Sequence, residues 1–142
     1  ESGETTKPRR SPKTGRVWDA FYELYKIKMF LRDERLTIRL VMLDMDEYRL
    51  LDGWSRDGKR GAHRMERIPC ALYETIDLNK PEDYTALLPR DLSPEFTAAE
   101  LSAVLKIPRR RATEICNVLY NIGAIIRTGN KGRAFLYKKA EA

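Results

Sequence analysis

The sequence predicts an α+β fold: an N-terminal helix and a small antiparallel sheet, then a compact helical unit closed by a hairpin. Three patterns carry that prediction. Over Val17–Leu31 the residues Trp18, Phe21, Tyr22, Tyr25 and Met29 recur at helical spacing, with no strand alternation. Over Leu36–Leu43 the period becomes two, with Leu36, Ile38, Leu40 and Met42 on one face. From Phe96 to Lys138 come a capped helix, a proline, a longer amphipathic helix, a glycine and two short strands about a glycine-rich turn.

At 142 residues the chain holds one domain or two small ones and is long enough for a hydrophobic core. Its 42% hydrophobic and 34% charged composition is that of a water-soluble globular chain. No apolar run approaches the ~20 residues of a membrane helix and no signal peptide is evident, so a cytoplasmic location is expected. A start at Glu1 rather than Met is expected of a processed product or of a piece of a longer protein.

Residues 1–15 hold no large apolar side chain, two prolines and two glycines, and read as a flexible basic arm or linker. After the helix over Val17–Leu31, the strand Leu36–Leu43 is followed by another over Met45–Leu51. The second either continues the first after a kink or forms a hairpin arm. Asp52-Gly53 opens a turn. The loop Trp54–Arg64 then carries Arg56, Lys59, Arg60, His63 and Arg64 against Asp57 alone. Met65–Cys70 reads as a third short strand, broken by Pro69. Residues 16–76 thus make a helix plus antiparallel sheet that packs on its neighbour or completes a larger domain.

The second unit spans 80–139. Pro81 opens a helix running to Leu88, and Pro89 closes it. Thr97-Ala98-Ala99-Glu100 is a capping box, in which the threonine hydroxyl takes an orphan amide and the glutamate reaches back. Leu101, Val104 and Leu105 give the following helix its apolar face, and Lys106-Ile107-Pro108 breaks it. Arg109 to about Ile122 is the next helix, with Ala112, Ile115, Leu119 and Ile122 as one buried stripe and Gly123 as the stop. Ala124–Arg127 and Arg133–Lys138 are strands about a turn at Thr128–Gly132. In the run LKIPRRRATEICNVLYNIGAIIRTGNKGRAFLYKK this unit resembles the winged helix-turn-helix domains of bacterial repressors. The resemblance covers residues 81–138. It implies a DNA-binding domain in transcription regulation, with a recognition helix at 109–122 and a basic wing on phosphates or the minor groove.

Charge supports that implication. Net charge is +6, of which residues 1–16 contribute +3 (five basic, two acidic), 17–94 contribute −2 (thirteen, fifteen) and 95–142 contribute +5 (nine, four). Positive charge therefore collects on the arm and the helical unit, where a phosphate backbone would want it; solubility alone is the plain alternative. Opposite its stripe, the recognition helix presents Arg110, Thr113, Glu114, Asn117 and Asn121. Arginine, asparagine and threonine are side chains that read base edges in a major groove. Arg109, Arg110 and Arg111 sit where the helix dipole prefers acids, an arrangement that a polyanion would reward. On the wing, Lys131 and Arg133 flank Gly132. A secondary basic patch of Arg56, Lys59, Arg60 and Arg64, beside Trp54, offers charge and stacking to nucleic acid. Each of these also reads as an ordinary solvated surface.

Other chemistry is poorly served. Cys70 and Cys116 lie in apolar segments without metal-ligand spacing and are expected to be buried, reduced thiols. His63 is the sole histidine, which excludes histidine-pair metal sites and weakens any triad. Asp44, Asp46, Glu47 and Asp52 suggest a nuclease, but Glu47-x-Arg49 puts arginine where such a site wants lysine, and arginine does not serve as a general base. No phosphate-binding glycine loop is present. No cofactor, catalytic residue or metal site is therefore expected. The leading expectation is a non-enzymatic protein binding double-stranded DNA. The alternatives are a winged helix used as a protein–protein module, by a partner or a homodimer, and the C-terminal fragment of a nuclease.

Overall fold

The computed structural model of the chain describes residues 7–10, 14–50 and 63–141, with no side-chain description at 49–50 and 63–66. The fold is α+β. A 3-10 turn at Val17–Ala20 leads into α1 (Phe21–Lys26), and a second 3-10 turn follows at Lys28–Phe30. Strands β1 (Ile38–Leu50) and β2 (His63–Leu78) form a two-stranded antiparallel ribbon. Then come α2 (Pro81–Thr85), β3 (Glu95–Phe96), α3 (Ala98–Leu105), α4 (Arg109–Asn121), β4 (Ile125–Lys131) and β5 (Ala134–Lys139). The last two strands and β3 make a second sheet in the order β3-β5-β4. Among the described residues, no helix is long and apolar enough to cross a membrane.

Where the spacing predicts one helix over Val17–Leu31, the chain breaks it at Ile27 (φ −111°, ψ 16°). Packing explains the break. Phe21 and Leu24 are buried, whereas Met29 and Phe30 are 79% and 66% exposed. A helix this short draws its stability from tertiary contacts, and Met29 and Phe30, mostly exposed, bury little to extend it.

The ribbon corrects the strand boundaries. The two segments expected at Leu36–Leu43 and Met45–Leu51 are one strand, and the third strand does not stop at Cys70 but runs to Leu78. Register shifts fall between Met42 and Leu43, Asp44 and Met45, and Tyr48 and Arg49. At each, the extra residue lies on β2: Tyr73, Cys70 and Met65. Pro69 is tolerated because it adjoins a bulge, where the ladder is already interrupted. In the first half of β1 the even-numbered residues Ile38, Leu40 and Met42 face the body of the molecule and are half-buried, while Arg39, Val41 and Leu43 are exposed; from Leu43 to Tyr48 both faces are exposed.

In the helical unit, α2 stops at Thr85 rather than Leu88. Leu87 and Leu88 donate to Tyr84 and Thr85, an i→i−3 pattern that tightens the chain ahead of Pro89. The capping box forms as predicted: the Glu100 amide donates to Thr97 Oγ1 at 3.2 Å and the Thr97 amide to Glu100 Oε2 at 2.9 Å. Lys106 ends α3 in the left-handed conformation (φ 55°). After α4, the Ala124 amide donates to the Leu119 carbonyl and the Gly123 amide to that of Tyr120, with Gly123 at φ 79°. That is a Schellman stop, whose left-handed position favours glycine.

The turn of the β4–β5 hairpin lies further along than the sequence predicts. Thr128, Gly129 and Asn130 belong to β4, Lys131 pairs with Ala134, and the turn is Gly132-Arg133, with Gly132 at φ 66°. A bulge at Thr128 absorbs the other irregularity, since Arg127 faces Tyr137 while Gly129 faces Leu136.

One buried cluster joins these parts. Phe21 and Leu24 of α1 and Leu78 of β2 share it with Phe96, Leu101, the α4 stripe and Tyr137. Ala112 and Leu119 are fully buried, Ile115 is 2% exposed and Ile122 7%. Cys116 is also buried, and burial pushes its thiol up to about 12. Cys70 departs from expectation: both thiols are free, but Cys70 is exposed, because the bulge that carries it lies on the ribbon away from the core.

Candidate nucleic-acid interface

Helix α4 advances about 100° per residue. With Ala112, Ile115, Val118 and Leu119 turned into the core, Arg109, Thr113, Asn117 and Tyr120 fall on the opposite side. Arg109, Thr113 and Tyr120 are exposed, and Asn117 and Asn121 are half-buried. This face lies in a trough. Tyr25 of α1 joins Arg109, Arg110, Thr113 and Asn117 around a shallow cleft of about 470 Å³ on one side. On the other side stands the β4–β5 hairpin, whose Arg127 lies over the Tyr120 ring.

Three polar side chains on this face lie down along the helix. Thr113 Oγ1 donates to the Arg109 carbonyl at 3.0 Å, Asn117 Nδ2 to the Thr113 carbonyl at 2.9 Å, and Asn121 Nδ2 to the Asn117 carbonyl at 2.8 Å. Reading a base edge would exchange each such bond for one to the base. That is a near-even trade, because a protein hydrogen bond nets only about 1 kcal/mol.

Glu114 is not on the solvent face, contrary to the sequence expectation. It is 8% exposed, because α1 packs against that flank of α4. Its carboxylate sits 3.5 Å from Arg110 Nε and 3.6 Å from an Arg111 Nη, and its Oε2 accepts no hydrogen bond. The Arg111 guanidinium also lies 4.0 Å over the Tyr22 ring. Arg110 and Arg111 thus have local counterparts, which offset part of the cost of cations at this helix start. Arg110 keeps 88% of its side chain exposed, and Arg111 46%. Arg32 Nε donates to the Asn121 carbonyl at the far end of α4, and Arg16 Nη1 donates to the Leu105 carbonyl at the end of α3. The N-terminal stretch is therefore tied to both helices.

At the end of β4, Lys131 is exposed but engaged. Its Nζ lies 2.6 Å from Glu100 Oε1, joining the hairpin tip to the cap of α3. Lys131 and the Thr97 amide together hold the Glu100 carboxyl below the usual carboxylate range. A lowered carboxyl stabilises the fold above its unfolded pKa, and that contribution is lost as pH falls through the lowered value. An NMR titration of Glu100 should therefore show a midpoint below that of an ordinary glutamate, and Lys131→Ala should move it up. An unchanged midpoint would mean that the pair does not persist in solution.

Arg133 is exposed at the turn. Arg56, Lys59 and Arg60 lie outside the described residues, and Arg64 is described only as a backbone position of β2. Of the acids that suggest a nuclease, Asp52 lies outside the described residues, Asp44 and Asp46 share one face of β1, and Glu47 turns to the other and meets Arg67 at 2.7 Å. Among the described residues, no group of three or more His, Cys, Asp or Glu is placed to hold a metal ion.

An aromatic group on the wing side was not foreseen. The Arg127 guanidinium lies 4.0 Å over Tyr120 and 3.9 Å over Phe135, with both rings partly exposed. Tyr120 was readable from helical spacing, being i+11 from Arg109 on the polar face. Phe135 was not, because its place depends on the wing's bulge.

Residues 1–79 match a family described as a domain of unknown function, DUF8091. The chain belongs to the DUF8091 family. The matched DUF8091 segment takes in α1 and the whole ribbon, ends between β2 and α2, and leaves α2, α3, α4 and the β3-β5-β4 sheet outside it. No curated protein and no solved structure matches the chain.

Proposed function

We propose that the chain is a non-enzymatic unit that binds double-stranded DNA through residues 81–138, acting as a winged helix-turn-helix. The polar α4 face carries this reading: exposed Arg109 and Thr113 and half-buried Asn117 at i, i+4 and i+8, with Arg110 beside them and Arg127 and Arg133 on the adjoining hairpin. In this reading α4 enters the major groove, where Arg110 and Asn117 meet base edges and the wing cations meet phosphates.

Binding to duplex DNA should fall steeply with salt. If the arm, the start of α4 and the wing together neutralise ~5 phosphates, log K against log salt has a slope of about −4 to −5. Arg133→Ala should reduce that slope by about one and weaken all sequences alike, whereas Arg110→Ala should cost ~1–3 kcal/mol on a preferred site and little on random duplex. Absence of binding at low salt would overturn the proposal. It would favour the second reading, a protein–protein module, which is supported by α1 lying beside α4 and by the exposed apolar side chains of the ribbon.

A further inference from the structure

The outward face of the ribbon is built unlike the rest of the surface. β1 is regular, so Arg39, Val41, Leu43, Met45 and Glu47 all point to the same side, away from the core. Their cross-strand partners are Asp77, Thr75, Leu72, Pro69 and Arg67. The middle of this face is apolar and open: Val41 is 47% exposed, Leu43 42%, Met45 45% and Leu72 67%. An ion pair closes each end, Arg39 to Asp77 at 2.7 Å and Arg67 to Glu47 at 2.7 Å. Single exposed apolar residues are unremarkable on a protein surface, but a contiguous apolar strip with a charged rim marks an interaction site. A two-stranded ribbon is also marginal by itself and gains from a covered face.

We infer that this face is where two copies of the chain meet, ribbon against ribbon, independently of any DNA reading. Charge decides the occupant. The rim pairs are neutral, so the face offers a polyanion nothing. It is, however, complementary to itself. Two such faces are exchanged by a two-fold axis lying in the plane between them. With the axis across the ribbon, Arg39 of one copy stands over Glu47 of the other, and Asp77 over Arg67. With the axis along the ribbon, Arg39 stands over Asp77 and Glu47 over Arg67. Both arrangements set cations over carboxylates at both ends, and both lay the strip of Val41, Leu43, Met45 and Leu72 on its own copy at the ~10 Å spacing of packed sheets.

Sedimentation equilibrium of the 142-residue chain, without nucleic acid, tests this. The expected result is a reversible dimer at micromolar concentrations. Leu43→Asp should raise its dissociation constant about 30-fold or more, as loss of a central interface residue does. The far-UV spectrum should not change, because Leu43 lies on the outward face of the ribbon and outside the buried core. Should Leu43→Asp misfold, Leu72→Asp is the second variant. As an independent readout, Leu43→Cys in a Cys70→Ser background should be captured as a dimer by a short bismaleimide. A monomer throughout the concentration range, a dimer indifferent to both aspartates, or no capture through position 43 would each overturn the inference.

Discussion

Replacing Leu119 with alanine is expected to cost ~2–5 kcal/mol of stability. Leu119 is fully buried midway along α4, between Ile115 and Ile122, and its carbonyl accepts the amide of Ala124 that closes the helix. The side chain is ringed by the fold's core, so little can move in to fill the space it leaves. Asn117, two residues away and about 200° around the helix, supplies the contrast. It is half-buried, and its amide only bonds back to the Thr113 carbonyl. Asn117→Ala should therefore change stability by less than about 1 kcal/mol. Denaturant unfolding of the two variants measures both. Equal losses would show that the polar face is structural, and the proposed groove contact would fall with it.

How far such faces can be read from the chain depends on where their causes lie. The Thr97–Glu100 box, the Ala112–Ile122 stripe and the Gly123 stop are local devices, each fixed by residues within a turn or two, and each stands where the sequence places it. Glu114 went wrong for the opposite reason. Its helical angle puts it beside Arg110 on the polar face, but α1, far away in sequence, covers that flank. Long-range pairing likewise hid β3, which is too short to carry a pattern and exists through Glu95 and Phe96 meeting Lys138 and Tyr137. On β2 the bulges at Met65, Cys70 and Tyr73 blurred the alternation, so the strand beyond Pro69 was not evident. The candidate site shows the same division. Arg109, Thr113 and Asn117 follow from helix geometry, while the stacking of Arg127 between Tyr120 and Phe135 and the capture of Lys131 by Glu100 arise only once sheet and helices are docked.

Docking also decides what Phe21→Ala should do. Phe21 lies in the DUF8091 segment, yet it is fully buried in the cluster that holds α4. Its ring stands 5.0 Å from that of Trp18 and meets Tyr84 edge-on at 6.3 Å, so it links the N-terminal turn to α2. Emptying that position should cost ~3–5 kcal/mol. Because one cluster serves both stretches, the loss should be felt throughout. Far-UV circular dichroism and tryptophan fluorescence should report one shared unfolding transition in the wild type, and the same transition moved to lower denaturant in Phe21→Ala. A C-terminal unit that keeps its original midpoint while the N-terminal stretch melts early would show that α1 merely rests on α4. In that case α1 would be free to leave the flank of α4, and the cleft around Arg109, Thr113 and Asn117 would open on that side.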